Sequence, residues 1–217
     1  MNKNILVLAA HPDDETLGCG ATISKLSEKG HNIQLLTFTD GVGARGEKGD
    51  RNSKLGACCE ILGIKEYFFG SFPDNAMDSV QLLDVCKFIG SNVKYIPDII
   101  FTHHPDCLNI DHEIVYRATI THFRPQEGHN TAIYSYYVPS STDYNPLGNF
   151  NGNVYFDVKN HKDTKLKCLM ECYDEEMRKR PHSRSYDNVE NLMKTWGSEV
   201  GLEYAEKFQL IRQINCL

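Results

Sequence analysis

Short apolar runs alternate with amphipathic segments along the first 138 residues. The apolar runs have the composition of strands buried on both faces of a sheet, and they are NILVLAA (4–10), HNIQLLTFT (31–39), EYFFG (66–70), DIIFTHH (98–104) and TAIYSYYV (131–138). The segments between them have apolar residues at helical spacing, and we predict helices over 15–29, 52–62, 78–94 and 111–123.

This alternation is typical of a Rossmann-like, doubly wound α/β fold, with a mostly parallel sheet and helices on both faces. The pattern changes after Pro139, where residues 139–153 are rich in turn-forming residues. VYFDV (154–158) then predicts a strand, and 160–180 and 187–212 are predicted to be helical. We therefore predict a single domain over 1–217, made of a core (1–138) and a C-terminal cap of a strand plus helices (139–217).

Charge and cysteine usage narrow the class of protein. A net charge of −6 disfavours nucleic-acid binding, which needs a basic surface. No apolar run approaches the roughly 18 residues of a membrane span, and no secretory signal is evident, so we expect a cytoplasmic protein. None of the eight cysteines stands in a CxxC pair, which favours free thiols over disulfides or a thiolate zinc site.

A dense polar cluster follows the first predicted strand. His11, Asp13, Asp14 and Glu15 lie where ligands bind in an open parallel sheet, beyond the carboxyl end of a strand. Carboxylates this close repel one another unless a cation lies between them. His11 and Asp14, three positions apart around a turn, are suited to sharing a metal, which leaves Asp13 for proton transfer. A helix N-cap with solvated acids is the alternative that stays open.

A second cluster, THHPDCLNIDHE (102–113), follows the strand predicted over 98–104. His112 is the best third ligand, and Asp111 before it is placed to orient that imidazole or to cap the helix. Two imidazoles and one carboxylate suit Zn²⁺ with an open position for water, and the same set also holds Fe²⁺.

The segment AHPDDE (10–15), with the Asp-His pair at 111–112 downstream, resembles the LmbE-like family, also called PIG-L deacetylases. Members of that family remove N-acyl groups from amino sugars. The similarity extends over nearly the whole chain and includes DGVGARG (40–46) and FPDN (72–75). The PHSRS segment (181–185) is similar to a branch associated with bacterial surface polysaccharides or nucleotide sugars. The resemblance implies a small N-acetylated sugar as substrate, nucleotide- or lipid-linked, and a homo-oligomer.

The resemblance also implies roles for individual residues. His11, Asp14 and His112 would bind the metal, and Asp13 would be the general base. Arg51 matches a substrate-contacting arginine and Asp74 an acid that contacts sugar hydroxyls. The arginines at 45, 51 and 184 are also suited to gripping a phosphate bidentately, although exposed arginines commonly remain solvated.

One position departs from the family pattern. Many members have a histidine where this chain has Asn109. An asparagine side chain is able to donate a hydrogen bond to an oxyanion, but it does not titrate near neutral pH. Acid catalysis would then fall to protonated Asp13, or to a histidine, with His182, His103 and His104 as candidates.

The predicted reaction is hydrolysis of an N-acetyl group to acetate and a free amine, with metal-activated water attacking the carbonyl and Asp13 accepting a proton. Hydrolysis of another sugar-linked amide is an alternative. A catalytically weak sugar-binding paralogue is a second, supported by Asn109 alone. A dinucleotide-dependent oxidoreductase is disfavoured, because the GCG segment (18–20) lacks the GxGxxG fingerprint.

Overall fold

The computed structural model of the protein describes residues 2–42, 51–127 and 130–214, apart from the side chain of Asn52. The predicted substrate residue Arg45 lies outside the described residues. The strands are β1 (Asn4–Ala9), β2 (Asn32–Thr37), β3 (Glu66–Phe69), β4 (Ile99–His103), β5 (Ala132–Tyr136), β6 (Val154–Asp157) and β7 (Ala205–Arg212). The α-helices are α1 (Asp14–Glu28), α2 (Arg51–Leu62), α3 (Leu82–Asn92), α4 (Ile110–His122), α5 (Lys162–Cys172) and α6 (Tyr186–Ser198). No helix within the described ranges is long and apolar enough to cross a membrane.

All seven strands form one sheet in the order β3-β2-β1-β4-β5-β7-β6. The first five strands in this order pair in parallel, and β7 then pairs antiparallel with both β5 and β6. The chain reverses its direction of travel across the sheet between β1 and β4, which is the switch point where open α/β sheets bind ligands. The predicted mostly parallel α/β fold is confirmed.

Helices cover both faces of this sheet, as predicted. The sequence of β1 is continuously apolar because its alternate side chains enter two different cores. Ile5, Val7 and Ala9 pack with residues of α1, α2 and α5. Leu6 and Leu8 pack on the opposite face with residues of α3 and α4.

The C-terminal region differs from the prediction in two elements. The helix predicted over 187–212 ends at Ser198, the chain turns at Gly201 with φ +75°, and Ala205–Arg212 is a strand. The helix predicted over 160–180 likewise ends at Cys172. The scattered apolar residues of 205–212 are compatible with the period of a helix and with that of a strand. Pairing with the open edge of β5 favours the strand, because it satisfies the backbone N–H and C=O groups of this segment. The predicted cap thus contains two strands, and both extend the core sheet.

A buried ion pair joins this C-terminal region to α1. The helix is kinked in its first half, which releases backbone groups from the usual helical hydrogen bonds. Lys165 Nζ donates to the Leu17 carbonyl and to Glu206 Oε1, at 2.7 Å each. Glu206 also accepts the N–H groups of Ala21 and Thr22, at 3.2 and 2.7 Å. The kink behind the AHPDDE segment is therefore stabilised by side chains from α5 and β7.

Candidate active site

A polar cleft of about 270 Å³ lies at the carboxyl ends of β1 and β4. The two strands are adjacent in the sheet, so the turn after Ala9 and the loop after His103 meet at one edge. Apart from the candidate acids His103 and His104, every described residue that the sequence predicted as a metal ligand, catalytic group or substrate contact lines this cleft, namely His11, Asp13, Asp14, Arg51, Asp74, Asn109, His112, His182 and Arg184.

The three predicted ligands form a small triangle of donor atoms. Asp14 Oδ2 lies 3.1 Å from His11 Nδ1 and 3.2 Å from His112 Nε2. The two ring nitrogens are 3.3 Å apart. A tetrahedral zinc ion with bonds of about 2.1 Å places its ligand atoms about 3.4 Å from one another. The triangle therefore fits a single divalent ion, and its donor set also suits Fe²⁺.

The charges around this triangle are strongly coupled. Burial by itself lowers the pKa of His11, but hydrogen bonds to Asp111, Asp14 and Asp74 raise that pKa well above its usual value. Burial is likewise outweighed at His112, where Asp14 raises the pKa to about 9. Burial raises the pKa of Asp14, yet the positive charge of His112 brings that pKa well below its usual range. The ionised form of Asp14, which is the form that binds a metal, is therefore favoured.

The second nitrogen of His11 is held by carboxylates. Its Nε2 lies 3.0 Å from Asp111 Oδ2 and 3.2 Å from Asp74 Oδ1. Asp111 is itself fixed by the backbone N–H groups of Asn75 and Met77, at 2.7 and 3.0 Å. Asp111 therefore orients His11 across the cleft, whereas the sequence predicted that it orients His112, the next residue in the chain, or caps the helix. Such a carboxylate fixes the tautomer and direction of a metal-binding imidazole.

Asp13 has an unusual backbone conformation. Its φ is 129°, a region that non-glycine residues rarely adopt and that is characteristic of functional sites. Its N–H donates to Glu15 Oε2 at 3.0 Å. Glu15 is fully buried and also accepts from the hydroxyls of Thr16 and Tyr173, at 2.7 and 3.0 Å. Glu15 thus stabilises the turn that presents Asp13, and it is not one of the solvated acids of the helix-capping alternative.

Two arginines predicted to bind substrate contact acids within the cleft. Arg184 Nη1 donates to Asp13 Oδ2 at 3.0 Å, and Arg51 forms a buried ion pair with Glu176. Burial raises the pKa of Asp13 and Arg184 opposes that rise, with a net value of about 7. Glu176 was not predicted as a site residue. It belongs to the acidic segment DEE (174–176), whose composition is typical of an exposed surface. The fold brings its carboxylate to Arg51.

Asn109 is the N-cap of α4. Its Oδ1 accepts the backbone N–H of Asp111 at 2.9 Å, and its Nδ2 donates to Asn75 Oδ1 at 3.1 Å. The side chain lines the cleft, but in this arrangement Oδ1 caps α4 and Nδ2 contacts the loop at Asn75. Because Nδ2 carries two N–H donors, a direct contribution to the reaction would use the one that is not directed at Asn75.

The candidate histidine acids differ in position. His103 is fully buried, and its Nε2 accepts the Ala10 N–H at 2.8 Å. His104 uses both ring nitrogens elsewhere, with Nδ1 accepting the Asp106 N–H and Nε2 lying 2.9 Å from Gln209 Oε1. Of the three candidates, His182 is the one that lines the cleft.

Residues 6–123, more than half of the chain, match the model of the family described as PIG-L, GlcNAc-PI de-N-acetylase. The chain belongs to the PIG-L family. The matched range contains the complete ligand triangle and Asp13, whereas His182 and Arg184 lie beyond it. The resemblance inferred from AHPDDE is thereby confirmed.

Individual relatives support the same assignment. The uncharacterized deacetylase YaiS of Escherichia coli K12 is 32% identical over 124 residues, which cover 54% of this chain and 66% of YaiS. The chain thus spans just under two thirds of that relative.

Solved structures show how widely the fold is shared. N,N'-diacetylchitobiose deacetylase from Pyrococcus horikoshii aligns with a TM-score of 0.74 at 20% identity, covering 96% of this chain and 84% of that one. GalB, the 4-carboxy-2-hydroxymuconate hydratase of Pseudomonas putida KT2440, aligns with a TM-score of 0.73 at 17% identity and 99% coverage of both chains. Structural likeness at these identities shows the fold alone, since one of the two proteins is a deacetylase and the other a hydratase.

Proposed function

We propose that this protein is a metal-dependent hydrolase that removes an N-acetyl group from an amino sugar and releases acetate and a free amine. The observation that carries the proposal is the triangle of His11, Asp14 and His112 with Asp13 beside it in one cleft. Family membership supports the same chemistry, because the family is described by de-N-acetylation of an amino-sugar lipid.

We assign His11, Asp14 and His112 as the ligands of Zn²⁺, with Fe²⁺ as the alternative. A bound ion of this kind supplies Lewis acidity, which lowers the pKa of water and polarises a carbonyl. The protein contributes the position of the ligands. Asp111 holds Nε2 of His11 so that Nδ1 is directed at Asp14 and His112.

We assign Asp13 as the general base. Its Oδ2 is engaged by Arg184 Nη1, so Oδ1 is the oxygen that we assign to proton transfer. Asp13 lies next to a ligand in sequence and lines the same cleft, which supports the assignment of its carboxylate to proton transfer from the attacking water. The same group, once protonated, is suited to passing that proton to the leaving amine.

We assign His182 as a hydrogen-bond donor to the substrate. Its Nδ1 accepts the backbone N–H of Arg184 at 3.0 Å, so the ring proton of the neutral imidazole is on Nε2. An Nε2–H donor in the cleft suits the developing oxyanion or the leaving amine. Asn109 differs from His182 in that its Oδ1 caps α4 and one of its two Nδ2–H donors is taken by Asn75.

The cleft suits a substrate the size of one sugar ring. Its lining is mainly polar, and we propose that Asp74, Arg51 and Arg184 contact sugar hydroxyls or an anionic substituent. Whether Arg45 joins them is a prediction from the sequence. A nucleotide or lipid on the substrate, a homo-oligomer, a cytoplasmic location and the division into core and cap also remain predictions.

Acetate release from a panel of substrates tests the proposal. Zinc-loaded protein would be incubated with free, UDP-linked and lipid-linked N-acetylhexosamines, with the Asp13→Asn variant as the control. We expect acetate from at least one class, and none above background from the variant. Binding of an N-acetyl sugar without acetate release would favour the sugar-binding alternative. Release of an acid other than acetate from another N-acyl sugar would favour the other-amide alternative.

A further inference from the structure

The two sides of His112 have different surroundings. Its Nε2 belongs to the ligand triangle, 3.2 Å from Asp14 Oδ2 and 3.3 Å from His11 Nδ1. Its Nδ1 lies 3.1 Å from the sulfur of Cys107. Cys107 and His112 are both buried, so no bulk water competes for this contact. The second nitrogen of His112 is therefore paired with a thiol, whereas that of His11 is paired with carboxylates.

Cys107 is in turn connected to a third residue. Its Sγ lies 3.5 Å from Thr142 Oγ1, and Thr142 Oγ1 accepts the backbone N–H of Val138 at 2.9 Å. A neutral thiol satisfies both of its contacts at once, because S–H donates to the Thr142 oxygen while the sulfur accepts Nδ1–H from His112. This arrangement selects the tautomer of His112 that leaves Nε2 free of hydrogen for a metal.

The ring of His112 is also supported on one face. His103 stacks on it with centroids 3.8 Å apart and an interplanar angle of 23°. The His103 ring is fixed because its Nε2 accepts the Ala10 N–H. Its buried Nδ1 has no hydrogen-bond partner among the described residues, although buried polar groups are usually paired. An imidazole is present here although its Nδ1 has no hydrogen-bond partner among the described residues. This supports a role for the flat ring itself.

We propose that Cys107 and His103 are positioning residues for His112, Cys107 by accepting its Nδ1–H and His103 by stacking on its ring. The inference rests on the metal site of the proposed function and adds to it a thiol in place of the carboxylate or carbonyl that usually orients a metal-binding histidine. Neither residue is a ligand in this proposal. Both control how tightly the triangle holds its ion.

The affinity of metal-stripped protein for Zn²⁺, measured by competition with a chromophoric chelator, tests this inference. Cys107→Ala removes the acceptor, and we expect a Kd about 10- to 100-fold higher, the range typical of lost outer partners. Cys107→Ser retains an acceptor and is expected to lie between Cys107→Ala and the natural protein. Cys86→Ala is the matched control, because Cys86 is also buried but its thiol donates to a backbone carbonyl of α4, far from the ligand triangle in the fold, on the face of the sheet that packs with α3 and α4. Its Kd is expected to stay within twofold.

A spectroscopic measurement separates positioning from a general loss of stability. In the zinc-loaded natural protein, NMR should show a slowly exchanging Nδ1–H proton on His112, and this proton should exchange faster in Cys107→Ala. For the stacking part, His103→Leu should raise the Kd, while unfolding in excess chelator reports its effect on the metal-free fold. A Kd change for His103→Leu no larger than that of Cys86→Ala would overturn the stacking part.

The outcomes distinguish this inference from the proposed function. A natural protein that binds no Zn²⁺, or a His112→Ala variant that binds as tightly as the natural protein, would overturn the metal site itself. If those two behave as expected but Cys107→Ala has the natural Kd, the site stands and the role of Cys107 is wrong. A His112 signal without a proton on Nδ1 in the zinc-loaded protein would likewise contradict the proposed hydrogen bond.

Discussion

The AHPDDE turn and the C-terminal segment 173–185 meet in the same cleft but contribute in different ways. The turn follows a strand buried on both faces, and its ligands are almost wholly buried. The C-terminal segment supplies charged side chains, Glu176 and Arg184, that pair with Arg51 and Asp13. The geometry of the ligand triangle therefore comes from strand ends within the core. The electrostatic surroundings of the proposed base come from a loop more than 150 positions away.

Metal removal should have the largest effect, because the ion proposed to bind at the AHPDDE turn would acidify the water and polarise the carbonyl. We expect chelator-treated protein to lose essentially all deacetylase activity, since each predicted step depends on a polarised carbonyl and acidified water. Activity should return on adding one equivalent of Zn²⁺, and the melting temperature should rise with the metal concentration. Acetate assays and thermal unfolding before and after reconstitution check this. Undiminished activity in metal-free protein would contradict the ligand assignment.

Asp13→Asn should have the next largest effect. We expect turnover to fall by about 10²- to 10⁴-fold, because an amide does not accept the proton of the attacking water. Zinc stoichiometry should stay at the natural value, since Asp13 is not one of the three ligands. Steady-state kinetics and metal analysis of the same sample check both statements. If the variant lost its zinc while the turnover per bound zinc ion stayed unchanged, Asp13 would instead be a ligand.

Lys165→Met tests the connection between the C-terminal region and α1. Glu206 and the Leu17 carbonyl would lose a buried cationic donor, and we expect the free energy of unfolding to fall by about 3–5 kcal/mol. Urea unfolding of metal-free protein measures the change. Lys167→Met on the same helix is the control, because Lys167 is exposed. The control should change stability by at most about 0.5 kcal/mol.

Arg184→Met should have the smallest effect of the four and isolates the contribution of the C-terminal segment. The charge of Arg184 lowers the pKa of Asp13, so its removal raises that pKa and leaves less ionised base at a given pH. We expect the acidic limb of the kcat/KM profile to move to higher pH, with a loss of roughly tenfold near neutral pH.

Arg180→Met is the control for this prediction, because Arg180 lies 3.6 Å from Asp187 and does not line the cleft. Its pH profile should match that of the natural protein. Equal profiles for both variants would show that Arg184 does not act on the base.

The sequence predicted the elements whose pattern is local. β1 was evident because both faces of its sheet are covered, so every position is apolar. The ligands followed from residue type and from the rule that active sites lie at strand ends. The strand at 205–212 was predicted as a helix because its partner, the edge of β5, is set by the sheet order. No local signal separates the two periods there.

By itself, then, the sequence determined the α/β class, the two clusters at strand ends and the metal-binding residue types. The tertiary structure alone decided which distant groups complete them. Glu206 meets the N–H of Ala21 across 185 positions, Asp111 orients His11 across 100, and Glu176 pairs with Arg51 across 125. These contacts depend on side chains whose types are common on any surface, and only packing of the sheet and helices removes the water that would otherwise solvate them.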